Sequence, residues 1–347
     1  MREAGGNKSV RSLRSSPIVF STISPAKCSE AYDTFWNFAV ERQRIFFQRL
    51  GGAHAPWTHD RILGKYKFTN AYRASDRVSQ YLIRNVIYDR THEPIDLYFR
   101  IVLFKLFNKI ETWRLMEREL GDICAESFRF KDYDAVLSAA LSRGESIYSA
   151  AYIMASGCRE FEVTRKHQAH LRLVERMLAE SMPARIAECR SMRAAFELLK
   201  SYPLFGDFLA YQLITDLNYS SLTDFTEMEF TMPGPGARDG IRKCFASLGG
   251  LSESDAIRLV ADRQEREFER LGLDFRSLWG RPLQLIDIQN LFCEVDKYSR
   301  ESHPDLQGIS GRTKIKQRFM PKPPAPAPFY PPKWGINQFV IAAGVEG

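Results

Sequence analysis

The sequence predicts an all-α protein, in which a helical body is followed by a basic, proline-rich C-terminal tail. Apolar residues recur at helical spacing in segments spread along the chain. Alternating strand patterns are nearly absent, and DFTEMEFTM at 224–232 is the exception that could form a short extended piece. With 347 residues, 44% hydrophobic and 26% charged, the chain can form one large or two moderate domains. We expect one helical body with two lobes.

The ends of several helices are marked by capping residues. Ser252 and Asp255 have the spacing of a capping box, with Asp in place of the usual Glu, and Gly272 is placed to end the same helix. Asp96, Asp132 and Ser191 suit N-cap or first-turn positions. The predicted helices cover residues 29–49, 73–88, 94–107, 109–120, 132–143, 167–180, 183–200, 206–217, 236–248, 252–271 and 283–301.

The two ends of the chain differ in composition from the body, which we place at residues 28–302. Residues 1–27 are basic and rich in Ser, and the apolar run PIVFSTI is too short for a signal-peptide core, so we expect a flexible basic arm. The tail is residues 303–347. Seven of the seventeen prolines lie within 321–333, which favours polyproline II.

The first part of the tail carries alternating cations. In an extended conformation, alternate side chains project to the same side. The segment either wraps the body as a solvated tail or contacts the phosphates of a nucleic acid. The cations are Arg312, Lys314, Lys316 and Arg318.

Charge and cysteine usage restrict the class of protein. The net charge of +7 and the pI near 9.0 favour an anionic partner such as nucleic acid. No run approaches eighteen apolar residues, so we expect no transmembrane helix and no membrane partner. The six cysteines include no closely spaced pair, which argues against a zinc or iron–sulfur site. We expect reduced thiols in a cytoplasmic protein and no bound metal.

Charged side chains inside apolar segments mark residues 68–116. The stretch 97–113 is apolar on nearly every face, which indicates a buried helix, and Lys105 and Asn108 share one side of it. Two interpretations are open: a cavity lined for an anion, or a structural ion-pair network that uses Asp76, Asp89 and Glu111. The residues of the preceding helix that fall on one face are Arg73, Arg77, Gln80, Tyr81 and Arg84.

The segment LKSYPLFGDFLAYQLITDL at 199–217 has the form of a helix, a tight turn and an apolar helix. A helix-hairpin-helix element has this form, because its turn glycines let backbone N–H groups approach a DNA phosphate. Gly206 is present, but Leu204 takes the place of the second glycine. A plain αα-hairpin is the alternative.

A second turn, PGPG at 233–236, leads into another helix and makes Gly234 and Gly236 candidate DNA contacts. Asp239 lies near the place where helix-hairpin-helix DNA glycosylases carry their catalytic Asp, although the flanking residues differ. No Lys follows Gly206, which disfavours a Schiff-base lyase of that class. GISGRTK at 308–314 lacks the spacing and preceding strand of a phosphate-binding P-loop.

The last helix carries a polar stripe beside an apolar surface. Asp287, Asn290, Glu294 and Lys297 follow one another at steps of three, four and three residues, so they share a face. The stripe is either a solvated face or the wall of a site, where a carboxylate takes a proton or positions an amine.

Taken together, FTNAYRASDRVSQYLIRNVIYD, FRIVLFKLFNKIETW, FGDFLAYQLITDLNYS, PGPGARDGIRKCF and DIQNLFCEVDKY with GRTKIKQRF resemble a known family. The chain is similar, over roughly residues 35–320, to the alpha-glutamyl/putrescinyl thymine pyrophosphorylases, or amino acid:DNA transferases, and to the helical domain of 5-hydroxymethyluracil DNA kinases. The resemblance implies a divergent DNA-glycosylase-like helical fold. Without a P-loop, it does not imply kinase activity here.

The resemblance also implies a reaction on double-stranded DNA that contains a modified thymine. Pyrophosphorylated 5-hydroxymethyluracil would lose pyrophosphate while a small amine, an amino acid or a polyamine, attacks the exocyclic methylene. The base must leave the stack, the leaving group needs fixed cations, and the amine needs a base. No cofactor is expected, apart from a divalent cation that could accompany the pyrophosphate. Excision of a modified pyrimidine and non-catalytic DNA binding are the alternatives.

These demands assign the candidate site residues by type. We expect a catalytic group, a group that binds pyrophosphate or substrate, and a group that binds DNA. The catalytic candidates are Asp287, Glu294, Lys105 and Asp239; the substrate-binding candidates are Arg73, Arg77, Gln80, Tyr81, Arg84, Asn108 and Asn290; and the DNA-binding candidates are Gly206, Gly234, Gly236, Arg312, Lys314, Lys316 and Arg318.

Overall fold

The computed structural model describes residues 24–150, 154–320 and 326–340. Within these ranges the chain is mainly α-helical, which confirms the predicted class, and two short strands, β1 (Lys27–Cys28) and β2 (Phe245–Ser247), pair antiparallel. The helices are α1 (Ala31–Leu50), α2 (Arg61–Lys65), α3 (Arg77–Tyr81), α4 (Pro94–Phe107), α5 (Ile110–Leu120), α6 (Phe130–Ser142), α7 (Lys166–Ala179), α8 (Met182–Ala187), α9 (Met192–Lys200), α10 (Asp207–Leu217), α11 (Pro235–Cys244), α12 (Glu253–Arg270) and α13 (Leu285–Ser302).

Side-chain caps explain several helix boundaries. The capping box of α12 is confirmed: Asp255 N donates to Ser252 Oγ at 3.1 Å and Ser252 N donates to Asp255 Oδ2 at 3.2 Å. The single helix predicted over 183–200 is instead α8 and α9. Ser191 caps α9 by accepting from Ala194 N at 3.1 Å, so a new helix starts there.

The prediction of one continuous helix over 73–88 is wrong in detail. Arg73–Ser75 form a 3-10 turn, α3 follows, and Leu82–Ile87 continue as a π-helical segment. Each change of helix type rotates the side chains that follow it. Arg73 therefore faces the interior, whereas Arg77 is half exposed, and the two do not share the predicted face.

The predicted extended piece at 224–232 does not form a strand. The amide side chain of Asn218 makes the hydrogen bonds that a partner strand would have made: Phe225 N donates to Asn218 Oδ1 and Asn218 Nδ2 donates to Phe225 O, both at 2.9 Å. A loop results, because the backbone groups of Phe225 are already satisfied locally.

The crossing of α11 and α13 is unusually close, and glycines make it so. A Cβ on Gly240 would lie 1.9 Å from the carbonyl oxygen of Phe292, and a Cβ on Gly236 would lie 2.4 Å from Cys293 Sγ. The backbone of α11 at these glycines therefore packs directly against the backbone of Phe292 and the side chain of Cys293 in α13. The buried apolar side chains form one continuous cluster that includes helices from α1 to α13.

Residues 317–319 of the tail run along the body as extended chain. Lys67 N donates to Gln317 O at 3.1 Å and Phe319 N donates to Lys65 O at 3.0 Å. The proline-rich prediction falls partly on residues 321–325, and the flexible-arm prediction mostly on residues 1–23, both outside the described ranges. No helix among the described residues is long and apolar enough to cross a membrane.

Candidate functional site

Arg73 and Lys105 share one buried carboxylate, that of Asp216 on α10. Arg73 Nη2 lies 2.6 Å from Asp216 Oδ1, and Lys105 Nζ lies 2.8 Å from Oδ2. Burial lowers the pKa of Lys105 to about 8, although Asp216 opposes this shift. Burial alone would raise the pKa of Asp216, but the charges of Arg73 and Lys105 hold it below its ordinary value.

This Arg73 network continues through hydrogen bonds into α13. Arg73 donates from Nε to Gln212 Oε1 at 3.1 Å and from Nη1 to the hydroxyl of Tyr219 at 2.9 Å. Gln212 in turn donates to Gln289 Oε1 at 3.3 Å. Cations paired in this way are compensated without a ligand. At these residues the geometry favours the structural network over the lined cavity, with Asp216 as the shared anion.

Asp76, Asp89 and Glu111, which the sequence predicts as the anions of a structural network, lie in other surroundings. Asp89 accepts from the buried Arg100 at 3.0 Å. Glu111 lies 3.8 Å from Arg77 in an exposed pair, which contributes little because water screens it. Asp76 has no cation within ion-pair distance among the described residues, so it belongs to a different group of side chains.

The surface that carries Gln80 and Arg84 is occupied by the C-terminal segment. Gln80 Oε1 accepts from Phe329 N at 2.8 Å, and Gln80 Nε2 donates to Phe329 O at 3.2 Å. Arg84 donates to the carbonyl oxygen of Ala327. The next residue after Phe329, Tyr330, is fully buried. These side chains, predicted to bind substrate, hold the tail in this structure.

Tyr81 and Asn108 lie apart from that surface. The ring of Tyr81 stacks on Phe104 with centroids 5.9 Å apart, and the guanidinium carbon of Arg114 lies 5.3 Å from the centroid of the same ring. Asn108 ends α4 in the left-handed conformation, with φ 48°, and is buried. Its position explains why α4 and α5 are separate helices. The substrate roles of both residues stay predictions.

Asp287 sits at the start of α13 and accepts two backbone hydrogen bonds. Gln284 N donates to Oδ2 at 3.0 Å, which caps the helix, and Arg73 N donates to Oδ1 at 2.8 Å. Burial raises the pKa of Asp287 to about 7, despite these two bonds. The carboxyl therefore joins α13 to the 3-10 turn, and both of its oxygens are engaged.

The other members of the polar stripe are also engaged. Glu294 Oε2 accepts from Thr69 N at 3.0 Å and from Lys297 Nζ at 2.6 Å. Asn290 is partly exposed, and its Oδ1 accepts from Gln289 Nε2 at 3.1 Å. The stripe is thus a wall against residues 69–73 and not a solvated face. The proton-transfer roles of Asp287 and Glu294, like the catalytic role of Lys105, stay predictions.

Asp239 anchors the first part of the tail. Its Oδ1 accepts from Ser310 N at 2.8 Å, and its Oδ2 accepts from the hydroxyl of Ser310. A Cβ on Gly308 would lie 2.8 Å from the Asp239 side chain, so the tail can come this close because position 308 is Gly. The carboxylate predicted to be catalytic is buried beneath the chain that it holds.

The turn glycines differ in how closely other atoms approach them. A Cβ on Gly234 would lie 2.5 Å from the ring of Phe208, so Gly234, like Gly236, permits close packing. Gly206 has open space around it and precedes α10. Leu204 adopts φ 73°, the left-handed conformation that a second turn glycine would take easily. A helical hairpin is therefore present, and its contact with DNA stays a prediction.

The four basic side chains of the tail form an exposed strip. All four are exposed, and none has an ion-pair partner among the described residues. Ile315 and Phe319, from the same segment, are partly buried against the body. The segment is therefore held in place by its apolar side chains. We call Arg312, Lys314, Lys316 and Arg318 the basic strip.

A second cluster centres on the consecutive residues Thr69 and Asn70. Arg42 of α1 donates from Nε to Thr69 O at 2.8 Å and from Nη2 to Asn70 Oδ1 at 3.0 Å. Asn70 N donates to Asp76 Oδ1 at 2.8 Å, and Thr69 N donates to Glu294. Two adjacent residues thus join one buried guanidinium to two carboxylates. We call these five residues the Thr69–Asn70 cluster.

Arg42 is absent from the predicted site residues, although the sequence carries a signal for it. Arg42 falls on the buried face of α1, with Phe35, Phe38 and Ala39. A charge on the apolar face of an amphipathic helix is the same signal that marks Arg73 and Lys105. Thr69 and Asn70 carry no such signal, because they are uncharged and three of their contacts in the cluster are made by backbone atoms.

In the part of the chain that the structure describes, neither metal-ligating side chains nor the two surface depressions add a further candidate site. Among the described residues, no group of three or more His, Cys, Asp or Glu side chains is placed to hold a metal ion. Two open surface depressions of about 470 Å³ lie along 156–160 and beside Tyr148 and Lys166. Neither is lined by a residue of the Arg73 network or the Thr69–Asn70 cluster.

Comparison with known proteins shows which family the chain belongs to. A family model described as "5-hmdU DNA kinase, helical domain" matches residues 29–308. The 5-hmdU DNA kinase of Bacillus phage SP10 is 28% identical over 288 residues, covering 77% of this chain and 44% of the kinase, so the match spans less than half the length of that relative. No solved structure is significantly similar. Because the family model takes in most of the chain, this protein belongs to the family of 5-hmdU DNA kinase helical domains.

Proposed function

We propose that this protein acts on 5-hydroxymethyluracil in double-stranded DNA and replaces the pyrophosphate of its pyrophosphorylated form with an amine. The observation that carries the proposal is the match of residues 29–308 to a domain found in kinases of 5-hmdU DNA. The amine, an amino acid or a polyamine, follows from the resemblance described above. The modified base would be extruded from the helix for reaction.

The basic strip supports DNA binding. Its four cations are exposed and free of ion pairs among the described residues, and the segment is fixed along the body at Lys65 and Lys67. Fixed cations that face water bind backbone phosphates with release of counterions, whatever the sequence. The hairpin of α9 and α10, with Gly206 at its turn, would add a second contact in the manner of a helix-hairpin-helix element.

The reaction balances without a redox partner. The amine nitrogen forms a bond to the exocyclic methylene carbon, and the bond from that carbon to the pyrophosphate oxygen breaks. Pyrophosphate leaves with the bonding electrons, and the nitrogen gives up one proton to a base. The protein must therefore supply a cation for the leaving group and a proton acceptor near neutral pKa.

Incubation with modified DNA tests the proposal. A duplex with one pyrophosphorylated 5-hydroxymethyluracil is mixed with the protein and an amino acid or a polyamine, with and without Mg²⁺. The duplex is then digested to nucleosides for mass spectrometry, and pyrophosphate is assayed. We expect an amine adduct and one pyrophosphate per adduct. Duplexes with thymine or unphosphorylated 5-hydroxymethyluracil are the controls.

The same assay separates the alternatives. Release of free modified base would identify a glycosylase-like excision and contradict amine transfer. Tight, modification-dependent binding with no chemical change would identify a recognition module. That second candidate is favoured by one observation, namely that the alignment covers 44% of the phage kinase, so the chain matches a part of a longer enzyme.

A further inference from the structure

The Thr69–Asn70 cluster contains two donor groups, the Thr69 hydroxyl and Arg42 Nη1, that no described protein group satisfies. The hydroxyl of Thr69 is buried and has no hydrogen-bond partner among the described residues. Arg42 is buried, yet it bonds through Nε and Nη2 to neutral oxygens, and its Nη1 has no acceptor there. Of the described atoms of the cluster, the Thr69 hydroxyl is the fully buried orphan, and a buried polar atom without a partner calls for a ligand or water.

The two carboxylates of the cluster differ in their engagement. Glu294 accepts from Thr69 N and from Lys297, and it is buried. Asp76 accepts one backbone bond, through Oδ1, and remains partly exposed. Asp76 is therefore the carboxylate of this cluster that can exchange a proton with a bound molecule.

We propose that Asp76 and Arg42, joined through Asn70, form the site that takes the proton of the incoming amine and holds the leaving pyrophosphate. This inference rests on the function proposed above and makes it specific. Arg42 Nη1 and the Thr69 hydroxyl donate to the pyrophosphate oxygens, while Asp76 Oδ2 accepts the proton that the nitrogen loses as the new carbon–nitrogen bond forms. Glu294 acts as a positioning residue through Thr69.

The surrounding charges suit a base that works near neutral pH. Burial, assisted by the charge of Glu294, raises the pKa of Asp76 to about 7, although the Asn70 N–H, Arg42 and Arg73 act in the opposite direction. Lys297, paired with Glu294, is a further cation beside the cluster, and the charges of Arg49 and Glu41 act on Arg42. A base is most effective when its pKa lies near the operating pH.

Removal of the carboxylate is the first test. We expect Asp76→Asn to lower amine transfer by about 100-fold or more while the Kd for the modified duplex stays within about 3-fold of the wild type. Asp122→Asn, at an exposed carboxylate paired with Arg90, is the matched control and should keep full activity. An Asp76→Asn protein that folds, binds DNA and transfers amine at the wild-type rate would overturn the proposal.

The pH profile separates a reacting carboxylate from a structural one. Transfer should rise with pH as Asp76 loses its proton. Glu294→Gln removes a neighbouring anion and should move this rise to lower pH, whereas Arg42→Gln removes a cation and should move it to higher pH, each by about one unit. Arg42→Lys keeps the charge and should leave the midpoint in place. Shifts in the same direction, or none, contradict the assignment.

Inorganic pyrophosphate tests the site without relying on turnover. In protein labelled with carboxyl-¹³C aspartate, the Asp76 signal is identified by its loss in Asp76→Asn. Added pyrophosphate should shift that signal in the wild type and in Arg44→Gln, a change at the exposed neighbour on α1, but not in Arg42→Gln. If the wild type transfers no amine and this shift persists, the proposed function fails and the anion site stands. If no shift occurs, the site is wrong.

Discussion

At the scale of single residues, Asp216 decides what the two cations around it can do. A lysine and an arginine buried without an anion would each carry a desolvation cost of several kcal/mol. Asp216 lies within 2.6–2.8 Å of both and removes most of that cost. If Arg73 or Lys105 left Asp216 to bind a ligand, the three buried charges would no longer be compensated.

Asp216→Asn should therefore be strongly destabilising. The substitution leaves two buried cations with a neutral amide, so we expect the free energy of unfolding to fall by about 3–5 kcal/mol. Urea unfolding followed by circular dichroism measures it. Glu111→Gln, in the exposed pair with Arg77, should cost less than about 1 kcal/mol. Equal losses in the two variants would contradict the role given to Asp216.

The pKa of Asp287 predicts a pH dependence of stability. Because burial raises this pKa from 3.8 to about 7, the folded protein binds a proton that the unfolded chain has lost between these values. The stabilisation is complete below the unfolded pKa and is lost as the pH rises through the folded pKa. In Asp287→Asn that loss should be reduced.

Urea unfolding at about pH 5 and about pH 8 checks this expectation. The wild type should lose more stability between the two values than Asp287→Asn does. Asp122→Asn is the control, because the hydrogen bond from Arg90 lowers the pKa of Asp122 and places its titration below this range. A variant that follows the wild-type profile would show that Asp287 is ionised in the folded protein.

At the scale of helices, the crossing of α11 and α13 sets the positions of the carboxylates. Asp239 lies on α11, and Asp287 and Glu294 lie on α13. The two helices can approach closely because Gly236 and Gly240 lack a Cβ.

Gly240→Ala tests that crossing. The added Cβ would lie 1.9 Å from the carbonyl oxygen of Phe292, so the helices must separate. We expect a loss of about 3 kcal/mol or more in the free energy of unfolding. Gly64→Ala in α2 is the control, since nothing lies within 4 Å of its Cβ and Ala favours a helix. A neutral Gly240→Ala would mean that the crossing is not tight.

At the scale of the whole molecule, the tail covers two parts of the body with different chemistry. Residues 308–319 run from Asp239 to Lys65 and present the basic strip to solvent. Residues 327–330 lie on Gln80 and Arg84. The family match ends at residue 308, so most of the tail lies beyond the matched domain.

Charge reversal in the strip tests DNA binding. Lys314→Glu with Lys316→Glu should weaken binding to any duplex and reduce the slope of log K against log salt by about 2, because each phosphate contact contributes about 0.9. Fluorescence anisotropy over a salt series measures both. The same charge change at two exposed cations outside the strip, Lys131→Glu with Arg159→Glu, is the control. If both double variants weakened duplex binding equally, net charge alone would account for the effect.

Much of the helical layout followed from the sequence, for physical reasons that are local. Apolar periodicity located most helices to within a few residues, and caps such as Ser252 with Asp255 set their ends. These signals depend on neighbours within about four residues. The π-helical segment at 82–87 and the loop at 224–232 were missed, since distant packing and the side chain of Asn218 decide them.

The sequence by itself determined that Arg73 and Lys105 would be charged groups within apolar segments, because composition and period reveal burial. It left open whether Asp287 and Glu294 face solvent or line a site. The tertiary structure alone decided their partners. Asp216 is 143 residues from Arg73, and Glu294 is 225 residues from Thr69. A charge accepts any opposite charge or hydrogen-bond donor that the fold brings within about 3 Å, and no local pattern in the sequence specifies which one arrives.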